Sequence, residues 1–126
     1  MANLDQIMDY VADNTIIEQG TSGDWTYRKW SNGTAECWYS KVYDSSISPD
    51  GQVGSSGIYH GNVTLTTPFS FVSYPCGVTS ARWGTGVSWS CVRDYTASNK
   101  VRIQLYRNNN SGSNPYLQVY IRGELL

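Results

Sequence analysis

Residues 100–107 read KVRIQLYR and residues 116–122 read YLQVYIR, and in both stretches apolar and polar side chains alternate. The aliphatic residues share one side of each extended segment, because successive side chains of a strand point in opposite directions. They are Val101, Ile103 and Leu105 in the first segment and Leu117, Val119 and Ile121 in the second. This period is typical of antiparallel strands with one face on a core. The end of the chain therefore predicts two half-buried strands.

A β-hairpin is predicted around Asn32-Gly33, which separates the aromatic-rich residues 25–30 from residues 34–43. Asn and Gly both tolerate a positive φ, so this dipeptide favours a two-residue turn of type I′ between the strands. A short strand at residues 15–19 precedes the hairpin, and we expect it to end in a turn over residues 20–23, GTSG.

The middle of the chain predicts further short strands. A polar loop over residues 45–57 is followed by β-prone segments that are bounded by Gly, Pro and polar residues. These segments are residues 58–66, 69–74, 78–83 and 87–95. The chain as a whole shows seven or eight short strands and no βαβ rhythm. This organisation predicts an all-β fold over residues 15–126, an antiparallel β-sandwich of jelly-roll type.

Residues 1–14 contain the one helical pattern in the sequence, a single apolar stripe at the spacing i, i+3, i+4 and i+7. The stripe consists of Leu4, Ile7, Met8 and Val11. A helix of this length is not stable alone in water, because nucleation is costly below about 12–15 residues. We therefore expect a short N-terminal helix that is covered either by the β-domain or by the same helix of neighbouring subunits.

Composition narrows the class of protein. The chain has 126 residues, of which 40% are hydrophobic, 13% aromatic and 15% charged, and its formal net charge is −1. The aromatic content supplies enough apolar surface for a core, which argues against intrinsic disorder. No apolar run approaches the roughly 18 residues of a membrane-spanning helix, and the excess of Lys and Arg that marks nucleic-acid binding is missing. We expect neither membrane insertion nor a nucleic-acid partner.

The N-terminus and the cysteines indicate a protein that is made in a reducing cytoplasm. The first residues, MANLDQIMDYVADN, lack the basic and continuous apolar regions of a secretory signal. Cys37, Cys76 and Cys91 have a spacing that fits neither a disulfide framework nor a zinc ribbon. We expect these cysteines to be buried apolar side chains, and we expect the five Trp residues in the core as well.

Candidates for catalysis are few. His60, the only histidine, can pair with a cysteine only if the fold brings the two together, because the local sequence positions no such pair. Glu18, Asp24 and Glu36 are candidate carboxylates for glycoside hydrolysis. Phosphate-binding loops, dinucleotide-binding motifs and calcium loops are absent from the sequence. The sequence therefore predicts a protein without enzymatic activity, metal site or cofactor.

The polar sides of the last two strands are the candidate binding surface. The residues on these sides are Tyr106, Tyr116, Tyr120, Arg102, Arg122 and Gln118. Tyrosine provides rigid amphipathic contact area, and its ring can stack on sugars. The same residue types are enriched in subunit interfaces, so a ligand site and an interface are both open interpretations. The loops at residues 45–57 and 108–115 are alternative binding sites.

A longer motif lies at residues 18–38, which read EQGTSGDWTYRKWSNGTAECW. The pattern E-Q-G-x-x-G-x-W-x-Y-R-K-W, followed by G-x-A-E-C-W, resembles small β-domains of tail-fibre and related appendage proteins of phages and prophages of Gram-positive bacteria. Pro68-Phe69 and the final alternating strand that ends at Gly123 are similar to that family as well. The resemblance covers most of the chain from about Ile17 onward.

This resemblance implies a protein of the virion surface, assembled in the host cytoplasm, that binds without catalysis; it carries over no catalytic residues. It also implies a homotrimer, in which the residue 1–14 helices bundle toward the particle and contact other virion proteins. The implied ligand is a host cell-surface polysaccharide or protein, bound by several weak contacts together. Because the domain nearly fills the chain, a head-fibre or capsid-decoration protein is an alternative, and a carbohydrate-binding module is another.

Overall fold

The structure is a computed structural model that describes residues 3–4 and 15–126, and the named elements of residues 15–126 are β-strands. The strands are β1 (Ile16–Ser22), β2 (Trp25–Trp30), β3 (Thr34–Val42), β4 (Gly51–Gln52), β5 (Tyr59–Thr66), β6 (Cys76–Arg82), β7 (Ser88–Ala97), β8 (Lys100–Arg107) and β9 (Tyr116–Glu124). They form two antiparallel sheets, which confirms the all-β prediction. Over the described ranges, no helix is long and apolar enough to cross a membrane.

The two sheets differ in strand order. The five-stranded sheet has the order β1-β2-β3-β9-β6, and the four-stranded sheet has the order β4-β5-β8-β7. The last two strands therefore pair with strands from the first half of the chain, β8 with β5 and β9 with β3. Both sheets contribute to one hydrophobic cluster, an arrangement consistent with the predicted β-sandwich.

The core lies between the sheets and contains the aliphatic faces of β8 and β9. The aliphatic residues of both strands are at most 2% exposed, as the alternation of the sequence predicts. They are Val101, Ile103, Leu105, Leu117, Val119 and Ile121. Val63 and Leu65 of β5 and Cys37 and Tyr39 of β3 belong to the same cluster. Burial of these apolar faces is the main favourable contribution to folding.

The hairpin around Asn32-Gly33 is confirmed, but its predicted turn type is wrong. Gly33 has a φ of 88°, whereas Asn32 is not among the residues with positive φ, as a type I′ turn requires. The Gly33 N–H donates to Trp30 O at 3.1 Å, and the Thr34 N–H donates to Asn32 Oδ1 at 3.0 Å. The connection is therefore a three-residue loop in which Gly33 takes the left-handed position, and the Asn32 side chain caps the start of β3.

Three predicted boundaries differ from the structure. β1 continues to Ser22 and the turn is Gly23-Asp24, where Gly23 has a φ of 59°. Within the predicted loop at residues 45–57, the two-residue strand β4 pairs with β5. The segment 69–74 is not a strand but makes one isolated bridge, from Phe71 to Leu125. Aromatic side chains explain this last difference, because Phe71 is buried and packs edge-on against Phe69 at 5.4 Å between ring centroids.

The cysteines and tryptophans only partly follow the predictions. Cys37 is buried, but Cys76 and Cys91 are exposed, because they lie at outward positions of β6 and β7. Of the five tryptophans, Trp25 and Trp83 belong to the core, while Trp89 is 42% exposed. The prediction that all cysteines and all tryptophans are buried is therefore wrong, because strand alternation places some of them on the outer faces of the sheets.

The predicted N-terminal helix lies mostly outside the described residues. Of its apolar stripe, Ile7, Met8 and Val11 are not described, and Leu4 is 71% exposed. The helix and its role in oligomerisation therefore stay predictions.

A buried arginine connects the loops at one end of the molecule. Arg107, at the end of β8, is 2% exposed, and its guanidinium lies over the Trp83 ring at 5.2 Å. It donates a hydrogen bond to Ser111 O and lies 3.5 Å from Thr85 O. Trp83 in turn donates its indole N–H to Ile47 O at 3.1 Å. Three loops of this end thus converge on Arg107 and Trp83.

We expect Arg107→Ala to lower the free energy of unfolding by about 2–4 kcal/mol, because it removes buried packing and leaves loop carbonyls without a donor. The matched control is Arg82→Ala at an exposed position of β6, which we expect to change it by less than about 0.5 kcal/mol. Urea unfolding followed by tryptophan fluorescence measures both. Equal effects of the two substitutions would contradict a stabilising role for Arg107.

Candidate functional site

The structure divides the six residues of the predicted binding surface into two groups. Arg102 and Tyr106 belong to β8 in the four-stranded sheet. The other four residues belong to β9 in the five-stranded sheet, and they are Tyr116, Gln118, Tyr120 and Arg122. Since β8 and β9 both bury their aliphatic faces in the core between the sheets, their polar faces point away from each other. The expectation of one continuous surface is therefore wrong.

The four residues on β9 lie beside residues of β3 and β6 that are directly opposite them in the ladder. Tyr120 is paired with Trp38 on one side and with Val78 on the other. Two positions further along the ladder, Gln118 is paired with Ser40 and Ser80. A row of large side chains thus lies next to a row of smaller polar ones across the three strands.

These two rows form a groove, which we call the aromatic trough, on the outer face of the five-stranded sheet. Trp38, Tyr120 and Val78 form one wall, and Ser40, Gln118 and Ser80 form the floor. The groove has a volume of about 460 Å³. On the far side of the floor, Tyr116 Oη lies within hydrogen-bond distance, 3.0 Å, of Ser40 Oγ. The trough therefore offers ring faces, hydroxyl groups and an amide to a ligand.

Glu36 holds the rings of the wall in place. Its side chain is 12% exposed, accepts a hydrogen bond from the Tyr120 hydroxyl, and lies 3.6 Å from Arg28 Nη1. The Arg28 guanidinium also lies over the Trp38 ring, 5.3 Å from its centroid. Burial, and then the hydrogen bond to Glu36, raises the pKa of Tyr120, so its hydroxyl keeps the proton that it donates. The charge of Glu36 is thus compensated by Arg28 and by the Tyr120 hydroxyl.

The candidate catalytic groups do not form a cluster around a shared position. Glu18 pairs with Lys29 at 3.3 Å, Asp24 pairs with Lys41 at 3.3 Å, and Glu36 pairs with Arg28. The carboxylates therefore have separate cationic partners.

Of the candidate thiols, Cys91 lies in the same sheet as His60 and lines the same depression on its outer face, whereas Cys37 and Cys76 lie in the other sheet. Burial, and then the nearby charge of Glu36, raises the pKa of Cys37 to about 12, so this thiol is not a thiolate at neutral pH. His60 lies in the four-stranded sheet with Nδ1 2.5 Å from Asp50 Oδ1, and Cys76 lies in the other sheet. Within residues 3–4 and 15–126, no group of three His, Cys, Asp or Glu side chains is placed to hold a metal ion.

Sequence analysis missed the trough residues on β3 and β6. The signal was present in β3, where Ala35, Cys37 and Tyr39 alternate with Glu36, Trp38 and Ser40. The period of two assigns Trp38 to the same face as Ser40, but it does not show that β9 lies beside β3. That pairing joins residues about 80 positions apart, and only the fold determines it.

Arg102 is one of the two residues of the predicted surface on β8, and it forms an ion pair with Asp94. Its Nε donates to Asp94 Oδ1 at 2.8 Å, and its second nitrogen contacts the other carboxylate oxygen. This hydrogen bonding, together with the charge of Arg102, holds the pKa of the Asp94 carboxyl below its ordinary value of 3.8. Arg102 is therefore less available to a ligand than a guanidinium without a carboxylate partner.

The lowered pKa of Asp94 predicts a pH-dependent contribution to stability. The unfolded chain binds a proton at a higher pH than the folded chain, so the contribution is complete above about pH 5 and is lost as the pH falls through the lowered pKa. We expect Asp94→Asn and Arg102→Gln to be less stable than the unsubstituted protein at neutral pH and to approach it in acid. Urea unfolding as a function of pH measures this. A stability difference that is the same at every pH would contradict the ion pair.

The chemistry of the aromatic trough is that of a binding site for a polar molecule with apolar faces. Ring faces contact C–H surfaces, while hydroxyl and amide groups on the floor exchange hydrogen bonds with the ligand. The charged groups behind the wall are already paired with each other. Comparison with protein-family models, with curated proteins and with solved structures gives no match for this chain.

Proposed function

We propose that this protein is a non-enzymatic attachment protein of a phage or prophage virion, which binds host cell-surface glycan through the aromatic trough. The observation that carries the proposal is the ladder row of Trp38, Tyr120 and Val78 beside the row of Ser40, Gln118 and Ser80. The resemblance of residues 18–38 to appendage proteins supports the virion surface as its location. A host protein is the other ligand class that the resemblance implies.

Two properties of the trough favour a saccharide as the ligand. A pyranose ring has an apolar C–H face that stacks on Trp or Tyr and a rim of hydroxyls that hydrogen-bond with Ser and Gln. Of the charged groups near Tyr120, Glu36 and Arg28 are partners of each other, whereas Arg122, on the same face of β9, is exposed and forms no ion pair with a described carboxylate. The side chains that line the trough are themselves uncharged, so a neutral saccharide suits the site better than an ionised ligand.

The proposed assembly is a homotrimer in which the helices of residues 1–14 bundle near the particle and contact other virion proteins. Each helix is too short to be stable alone, and a parallel bundle would cover its apolar stripe. We also propose that the sandwich is a short jelly roll, because the pairing of β3 with β9 and of β5 with β8 is nested in the order typical of that fold. A trimer would carry three troughs, and simultaneous binding at several of them would raise the overall affinity for a polymeric ligand.

We expect Trp38→Ala to weaken binding of a neutral saccharide about tenfold or more, because ring stacking and burial contribute roughly 1.5–3 kcal/mol. A glycan array identifies a bound saccharide, and fluorescence titration then gives its affinity for each variant. Trp89→Ala, on the opposite sheet, is the matched control and should bind within about twofold of the unsubstituted protein.

Two results would contradict this part of the proposal. If Trp38→Ala binds the saccharide with unchanged affinity, the trough is not the binding site. Hydrolysis of a cell-wall polysaccharide that is lost in Glu36→Gln would show that the protein is an enzyme and not only a binding protein.

The trimer is tested by substitutions in the apolar stripe. We expect Leu4→Asp and Ile7→Asp to convert a trimer into monomers, because charges cannot be buried at the axis of a bundle without a large cost. Light scattering measures the mass, and Leu126→Asp at an exposed position is the matched control that should keep it. A mass that does not change in the stripe variants would contradict the bundle.

A further inference from the structure

The outer face of the four-stranded sheet repeats the arrangement of the aromatic trough with different residues. Tyr106 on β8 is paired with His60 on β5 and with Trp89 on β7, which forms a row of three rings across the sheet. Two positions along β8, Gln104 is paired with Asn62 and Cys91, which forms a row of smaller side chains. A glutamine at the centre of the smaller row is common to both sheets.

The ring row is ordered by direct contacts. Trp89 and Tyr106 are stacked, with centroids 5.4 Å apart and an angle of 13° between the planes. At the other end of the row, His60 Nδ1 lies 2.5 Å from Asp50 Oδ1. The Asn62 side-chain amide donates to Asp50 Oδ2 at 3.2 Å, so Asp50 connects the two rows. His60 and Tyr106 of the ring row and Gln104 and Cys91 of the smaller row line a depression of about 360 Å³, which we call the second trough.

The second trough differs from the aromatic trough in its charge. Asp50 and Arg93 both line it. Asp50 has His60 and Asn62 as partners, whereas Arg93 is exposed and makes one long hydrogen bond, of 3.4 Å, to Gln104 Oε1. No carboxylate of the described chain forms an ion pair with Arg93.

The neighbouring carboxylate of Asp94 interacts electrostatically with Arg93 but forms its ion pair with another residue. Asp94 is engaged with Arg102, which contacts both of its oxygens. A β-bulge between Val92 and Asp94 shifts the register of β7 against β8. Arg93 contacts Gln104, whereas Asp94 contacts Arg102. One end of the second trough therefore presents a cation without a dedicated countercharge.

We propose that the second trough is a separate binding site for a saccharide that carries an anionic substituent, such as a carboxylate or a phosphate. The sugar ring contacts the Tyr106 ring and hydrogen-bonds with Gln104, both of which line the trough. The anionic substituent pairs with the Arg93 guanidinium, whose planar donors suit carboxylate and phosphate groups. The choice of a saccharide rests on the proposed function, but the site itself does not depend on the aromatic trough.

Two sites on opposite faces would give one domain two ligand classes. The aromatic trough is lined by uncharged side chains and suits a neutral sugar, while the second trough has the Arg93 guanidinium in its lining and suits an acidic one. A heteropolysaccharide with both kinds of residue, or two adjacent polymers, would then be bound from both sides of the sandwich. Binding at two sites raises avidity only if the ligand reaches both faces.

The experiment is an NMR titration of the isotopically labelled protein with two probes, trigalacturonate as the acidic saccharide and maltotriose as the neutral one. We expect trigalacturonate to shift the backbone amides of Cys91 and Gln104 and the Trp89 indole signal. We expect Arg93→Gln to weaken this binding about tenfold or more, because a charge-assisted hydrogen bond contributes roughly 1.5–3 kcal/mol. The binding should also weaken as ionic strength rises from about 0.05 to about 0.5 M.

Matched variants separate this proposal from the proposed function. Arg82→Gln, which removes an exposed charge from the other sheet, and Trp38→Ala, in the aromatic trough, should each leave trigalacturonate binding within about twofold. Unchanged affinity in Arg93→Gln, or shifts confined to the aromatic trough, would overturn the second site and leave the first intact. If the unsubstituted protein binds trigalacturonate but not maltotriose, the aromatic trough alone is contradicted. The spectrum of each variant shows whether it is folded.

Discussion

β8 and β9 follow each other in the chain, and burial of both aliphatic faces in one core is the constraint on which the rest of the structure depends. Each strand is central in its sheet, β8 between β5 and β7 and β9 between β3 and β6. Because the buried faces converge on the core, the polar faces must diverge to opposite sides of the molecule. Burial of the aliphatic faces therefore determines on which side of the molecule each candidate binding residue of β8 and β9 lies.

The loops depend on the core in a different way, through polar groups that are buried beside it. Trp83 is fully buried and fills the space next to Gly61, where a Cβ would lie 3.0 Å from the indole ring. Arg107 lies over the other part of this ring and hydrogen-bonds to a neighbouring loop. A single aromatic side chain thus connects β5, where any Cβ at position 61 would crowd the indole ring, with the loops at one end of the sandwich.

The outer faces show how similar geometry can favour different ligands. Both troughs place a row of rings beside a row centred on glutamine. On the five-stranded sheet, the Glu36 carboxylate has Arg28 and Tyr120 as partners, and the side chains that line the trough are uncharged. On the four-stranded sheet, Asp94 forms its ion pair with Arg102, and Arg93 forms no ion pair with a described carboxylate. The two proposed ligands therefore differ because one trough is lined by uncharged side chains and the other includes the Arg93 guanidinium.

The sequence by itself determined the all-β class, the hairpin at Asn32-Gly33 and the buried faces of the last two strands, because these depend on local periodicity and turn chemistry. It placed Tyr116, Gln118, Tyr120 and Arg122 on one face for the same reason. Only the tertiary structure decided that Trp38 and Val78 flank Tyr120, and that Tyr106 lies on the opposite side of the molecule. Periodicity assigns a residue to a face of its own strand, whereas strand partners are chosen by long-range pairing, which leaves no local signal in the sequence.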